Sequence, residues 1–173
     1  LKRVGLKELL EIAYSIEKNG KTLFLKFAQK FKKDKDIADL FTKLAHDEDD
    51  HLKHLKEFEK KYYTEGHLFE LLYDYKVVKE YFHQFSETNL MKDFKANLKL
   101  SQGLKTPLEA IKIGLNLEMD SILFYEKFKE INKHDPDVDK LLKELVDFET
   151  GHVGGLYQYL RHFTAKQLTQ DKK

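Results

Sequence analysis

Two short segments of the chain set a carboxylate and an imidazole three residues apart: "EDDH", Glu48 to His51, and "ETGH", Glu149 to His152. On a helix, residues at this spacing stand side by side. Each pair therefore offers an oxygen and a nitrogen donor to one point in space, and such donors suit iron or manganese. A lone pair of this kind is weak evidence, because a solvated salt-bridging face produces the same pattern. The first pair sits in just such a charged stretch, "HDEDDHLKHL", residues 46–55.

The phase of the flanking apolar residues separates the two readings. At about 100° per residue, Ile37, Phe41, Leu44, Leu52 and Leu55 all fall within roughly 40° of Glu48, and His51 lies roughly 60° to one side. Asp49, Asp50, His46 and His54 project away. Only Glu48 and His51 turn inward, and the rest of the stretch reads as a solvated face. Around the second pair, Val138, Leu142, Leu145, Val153, Leu156 and Leu160 surround Glu149 in the same way.

The two segments belong to a longer repeat. An offset of 101 residues lays "LEIAYSIEKNGKTLFLKF" (10–27) over "IKIGLNLEMDSILFYEKF" (111–128), and residues 36–55 over 137–156, without a gap. Glu17 then matches Glu118, Glu48 matches Glu149 and His51 matches His152. Glu17 and Glu118 also fall in or near the apolar stripe of their segments. Burying an isolated carboxylate costs several kcal/mol, so the convergence of these four glutamates in one core calls for a compensating cation. Two divalent ions would balance their charge.

The elements that must hold these residues are helices. Apolar residues recur at helical spacing nearly throughout, and prolines occur only at 107 and 136. The class is all-α, with helices over 4–31, 37–62, 106–131 and 137–162. Asp36 and Asp137 are the expected caps of the second and fourth, and Thr106, Pro107 and Glu109 give the third a capping-box start. Glu17 lies ~21 Å before the end of its helix and Glu48 ~17 Å after the start of the next, so an antiparallel hairpin brings them to one level. The chain reads as a single domain: hairpin one at 4–62, a crossover at 63–105 too long to be a plain loop, hairpin two at 106–162 and a frayed tail at 163–173.

Composition narrows the function classes. Lysine and arginine number 31 against 30 aspartates and glutamates, so no nucleic-acid or membrane partner is expected. The absence of cysteine excludes disulfides, thiol nucleophiles, zinc ribbons and rubredoxin-type iron centres within this chain. No apolar run is long enough to span a bilayer and no signal-peptide pattern opens the sequence, so the expected location is cytoplasmic.

With one Glu from each of two helices and a Glu-x-x-His from each of the other two, the chain resembles the ferritin-like di-iron carboxylate proteins, and among them the rubrerythrin group. The resemblance covers nearly the whole chain and implies a ferritin-like four-helix bundle with two iron ions, or manganese. It makes Glu17 and Glu118 terminal ligands, Glu48 and Glu149 bridging ligands, and His51 and His152 the nitrogen ligands, with no separate catalytic residue beyond the metal centre. The implied function is a rubrerythrin-like peroxidase or oxidoreductase that reduces hydrogen peroxide or activates oxygen. The rubredoxin domain of full-length rubrerythrins is absent, so an external electron-donor protein is expected. Where classical rubrerythrins carry an extra carboxylate on the third helix, this chain has Ser121.

Ser121 and Gly20, its repeat equivalent, are small enough either to leave room for an oxidant or to let the helices pack closely. Asp47 reads first as part of the solvated face, with Asp47 or Asp147 orienting a ligand histidine as the less favoured alternative, while Tyr14 and Tyr125 read as core packing ahead of a redox role. The long crossover would permit a homodimer with swapped hairpins, and His83 within it reads as non-ligating. Alternative functions are a ferroxidase or iron-handling protein, a manganese catalase-like activity and, from another class, a non-enzymatic helical interaction bundle.

Overall fold

The computed structural model describes residues 3–4, 6–64, 73–74, 103–131 and 135–170. Four long helices dominate them: α1 (Leu6–Lys30), α2 (Lys35–Thr64), α3 (Pro107–Ile131) and α4 (Pro136–Gln170). A two-residue strand, β1 (Arg3–Val4), pairs antiparallel with β2 (Tyr73–Asp74) and ties the start of the chain to a point within the expected crossover. His83 and most of the rest of that crossover lie outside the described residues.

The helices form two hairpins. α1 packs along α2, α3 packs along α4, and the hairpins meet through α1 against α3 and α2 against α4. This is the expected all-α, ferritin-like four-helix bundle. None of the described helices is long and apolar enough to cross a membrane.

Local signals set the helix starts. Thr106 and Glu109 close a reciprocal capping box, the Thr106 hydroxyl accepting from the Glu109 amide at 3.3 Å and the Glu109 carboxylate from the Thr106 amide at 3.0 Å. The other two caps differ from expectation. Asp135, not Asp137, caps α4, accepting from the amides of Asp137 and Val138 at 3.0 and 3.1 Å, with Pro136 as the first helical residue. Asp34, not Asp36, opens α2, its side chain facing the Ile37 amide at 3.4 Å and its carbonyl accepting from Ala38. Each cap thus stands two residues before the expected one, and each helix starts at the residue after its cap. α4 also continues to Gln170, past the expected end at 162.

Two apolar clusters fill the bundle. One gathers Leu6, Leu10 and Ile16 of α1 with Leu55 of α2, Phe124 and Tyr125 of α3 and Leu142 of α4. The other gathers Phe24 and Phe27 of α1 with Ile37 and Phe41 of α2, Ile111 of α3 and Leu156 of α4. In every helix a gap separates the two clusters: 17–22 in α1, 46–54 in α2, 118–123 in α3 and 146–155 in α4. Those four gaps hold all six candidate ligands. The bundle is therefore two apolar plugs with a polar layer between them. Each large side chain in the plugs contributes roughly 1.5–3 kcal/mol through burial, which offsets the cost of sealing charge inside.

Candidate metal centre

Each helix delivers one glutamate to the polar layer, and their side chains are almost fully hidden: Glu17 0%, Glu48 2%, Glu118 1% and Glu149 1% exposed. His51 and His152 are buried beside them, their rings 5.1 Å apart. Both histidines turn Nδ1 toward the carboxylates. His51 Nδ1 lies 3.0 Å from Glu17, 3.5 Å from Glu48 and 3.6 Å from Glu149. His152 Nδ1 lies 3.1 Å from Glu149, 3.3 Å from Glu118 and 3.6 Å from Glu48.

The donor atoms form two overlapping sets. One comprises Glu17, Glu48, His51 and Glu149, the other Glu48, Glu118, Glu149 and His152, with the atoms of each set all within 4.8 Å of one another. Glu48 and Glu149 belong to both sets. A point bound by either would receive three carboxylate oxygens and one imidazole nitrogen, a hard donor set suited to iron or manganese.

The electrostatics favour added positive charge. Burial, reinforced by the charges of Glu149, Glu17 and Glu118, pushes the Glu48 carboxyl well above the usual carboxylate range. Burial and the neighbouring Glu118 and Glu17 do the same to Glu149. Burial raises Glu118 to about 8, against a hydrogen bond with Glu149. Burial also acts on Glu17, but hydrogen bonds with Glu48, His51 and Tyr125 outweigh it and hold that carboxyl below its ordinary value. Without a cation the layer keeps protons in its place, and a metal would displace them. Among the described residues, Glu118 Oε1 is the buried side-chain oxygen without a hydrogen bond, although it faces His152 Nδ1 at 3.3 Å. That residue types, burial, shared donors and an orphaned oxygen all agree makes the layer a good fit for two metal ions.

Several neighbours were not legible from helical phase alone. Tyr125 is part of the core as expected, but its hydroxyl also donates to Glu17 Oε1 across the bundle, and burial followed by the Glu17 charge keeps that hydroxyl protonated. Its place seven residues after Glu118, two turns on along the same face, was the available signal. Asp47 reaches the other ring nitrogen of His152, with Oδ2 3.5 Å from Nε2, whereas Asp147 is exposed. Phe148 stacks on His51 at 4.9 Å. Within residues 46–55, Asp50 pairs with Lys53, and Asp49 takes an ion pair from Lys21. His46 is exposed and His54 reaches Glu144 at 2.9 Å.

The room expected at the small residues is not there at Gly20. A Cβ at that position would come within 3.1 Å of the Glu48 carboxyl carbon, so the glycine lets the carboxylate lie against α1. Ser121 turns its hydroxyl back to the Leu117 carbonyl at 3.0 Å. Open space lies elsewhere, in a groove of about 1080 Å³ between α2 and α4 whose lining includes His51, His152, Asp47, Phe148, Gly151 and Gly155.

No curated protein and no solved structure matches the chain. A family model described as Rubrerythrin matches residues 8–160, a span that takes in all four helices and all six candidate ligands. With that match and a carboxylate–histidine layer that fits a di-iron protein, the chain belongs to the rubrerythrin family.

Proposed function

We propose that the protein is a non-haem di-iron oxidoreductase that reduces hydrogen peroxide, or activates oxygen, with electrons from an external donor protein. The observation that carries this reading is the pair of ligand sets sharing Glu48 and Glu149. Two adjacent ferrous ions would supply one electron each, the two that hydrogen peroxide needs, with two protons, to become two molecules of water. In this reading Glu17 with His51 and Glu118 with His152 would each hold one ion, and Glu48 and Glu149 would hold both.

The chain's own residues supply the setting. The apolar plugs keep bulk water from the layer, and the α2–α4 groove gives a small oxidant a way to the histidine side of it. Tyr125 holds its proton against Glu17 and fixes that carboxylate. In this reading the electrons come from a separate donor protein. A homodimer, with or without exchanged hairpins, is the assembly this reading favours.

Stopped-flow mixing of anaerobically iron-loaded protein with peroxide and with oxygen tests the reaction. Faster oxidation by peroxide, with about two irons per chain and no mineral accumulating, is the expected result. Faster oxidation by oxygen with many irons taken up per chain would replace this reading by the ferroxidase one. Vigorous evolution of oxygen from peroxide by manganese-loaded protein would instead favour a catalase-like activity.

A further inference from the structure

The two halves of the ligand set have the same donors and different neighbours. At the first, Glu17 Oε1 already accepts a hydrogen bond from Tyr125, and His51 lies against the face of Phe148, which offers its ring nitrogens no acceptor. At the second, Glu118 Oε1 has no hydrogen-bond partner, and His152 Nε2 faces the Asp47 carboxylate at 3.5 Å. The 101-residue repeat makes each contrast a matched one: Phe24 stands at the position of Tyr125, and Phe148 at the position of Asp47.

These contrasts act in one direction. A carboxylate beside the outer nitrogen of a ligating histidine keeps the proton there, leaves Nδ1 free to bind and strengthens it as a donor. A carboxylate oxygen that holds no hydrogen bond, as Glu118 Oε1 holds none although His152 Nδ1 stands 3.3 Å away, gains more from a cation than one already holding a hydroxyl, because less of its desolvation is compensated. Lys43 also pairs with Asp47, but from an exposed position where water screens it, so it holds the carboxylate in place more than it neutralises it.

Resting on the two-metal reading above, we infer that the centre fills in order: the first divalent ion enters the Glu118–His152 half, the second the Glu17–His51 half, and Asp47 is the positioning residue that sets the order through His152. Phe148 is the residue that withholds the same advantage from His51. At 39% exposure it can be exchanged without opening the core.

Anaerobic titration of the metal-free protein with Co(II), read by its visible absorption and by calorimetry, tests this. Wild type should show a tight and a weaker step; His152→Ala should lose the tight step and His51→Ala the weaker one. Asp47→Ala should weaken the tight step by about 10–100-fold and leave the weaker step in place. Phe148→Asp should strengthen the weaker step, narrowing the gap. Two equal steps in wild type, loss of the tight step in His51→Ala, or equal weakening of both steps by Asp47→Ala would overturn the inference while leaving the two-metal reading intact. A wild type that is folded by circular dichroism yet takes up no cobalt would overturn both.

Discussion

The hairpin of α1 and α2 and the hairpin of α3 and α4 carry the same ligand pattern at the same offset, yet almost everything around the ligands differs. Tyr125 answers to Phe24, Asp47 to Phe148, Ser121 to Gly20, and the charged surface "DDHLKH" of α2 to "TGHVGG" in α4. What the halves share is what the centre needs, one carboxylate per helix and an imidazole three residues after two of them. Their differences are also exchanged across the bundle. Tyr125 and Phe148 of the second hairpin serve Glu17 and His51 of the first, while Asp47 of the first serves His152 of the second. Neither hairpin completes its own half of the site, so the two must assemble before the polar layer exists.

The largest expected effect separates Glu48, Glu118 and Glu149 from Glu17. Glu48, Glu149 and Glu118 are raised in the folded, metal-free protein, so the folded state binds more protons than the unfolded one. Their stabilisation is fully present below their ordinary value and is lost as pH rises through the folded value. For Glu118 that window runs from about 4.5 to about 8. Glu17 is lowered, and its contribution runs the other way, lost only on acidification below the usual range. Denaturant unfolding of the metal-free protein should therefore show stability falling by about 1.4 kcal/mol per pH unit for each such proton between pH 5 and 8. Metal loading should flatten that slope. A metal-free stability that rises over the same range would break the account of the layer.

Matched substitutions at Phe24 and Tyr125 sharpen the contrast between the halves. Phe24 is fully buried in an apolar plug, and Phe24→Ala should cost about 3–5 kcal/mol in chemical denaturation. Tyr125→Phe keeps the ring and removes only the hydroxyl on Glu17, for about 1.5–3 kcal/mol. A larger loss at Tyr125→Phe than at Phe24→Ala would reverse the roles assigned to the two positions.

Gly20 and Ser121 give a smaller contrast. Alanine at Gly20 gains about 1 kcal/mol of helix propensity, but its Cβ presses on the Glu48 carboxylate. Gly20→Ala should thus leave the metal-free protein as stable as before and weaken metal binding by about tenfold, as loss of supporting contacts does elsewhere. Ser121→Ala, which removes only a bond to the Leu117 carbonyl, should leave affinity unchanged. Calorimetric titration of both variants separates these outcomes. Smallest of all, Asp49→Ala removes a surface partner of Lys21 and Lys53 and should alter neither melting temperature nor metal content.

The sequence made the inward residues legible because burial is written along single helices. Glu48 and His51 keep a fixed angle to Leu44, Leu52 and Leu55 whatever the rest of the chain does, and the repeat multiplied that signal. Contacts made across the bundle were not legible in the same way. The bond from Tyr125 to Glu17 and the approach of Asp47 to His152 depend on how α1 sits against α3 and α2 against α4, which no helical wheel contains. Gly20 stayed between two readings for a related reason: a missing side chain shows that something comes close, but not whether it is an incoming molecule or a carboxylate from α2. The displaced caps have a simpler cause. Asp34 and Asp135 stand two residues before Asp36 and Asp137, and the amide geometry, not the residue type, decides between them.

Metal content tests the central claim most directly. After anaerobic loading with Fe(II) and removal of loose ions, elemental analysis should give about two irons per chain in wild type. Glu48→Ala and Glu149→Ala, which remove a donor common to both sets, should each lower the content of both half-sites together. A folded wild type that retains no iron, or one whose iron survives loss of either shared glutamate, would contradict the account.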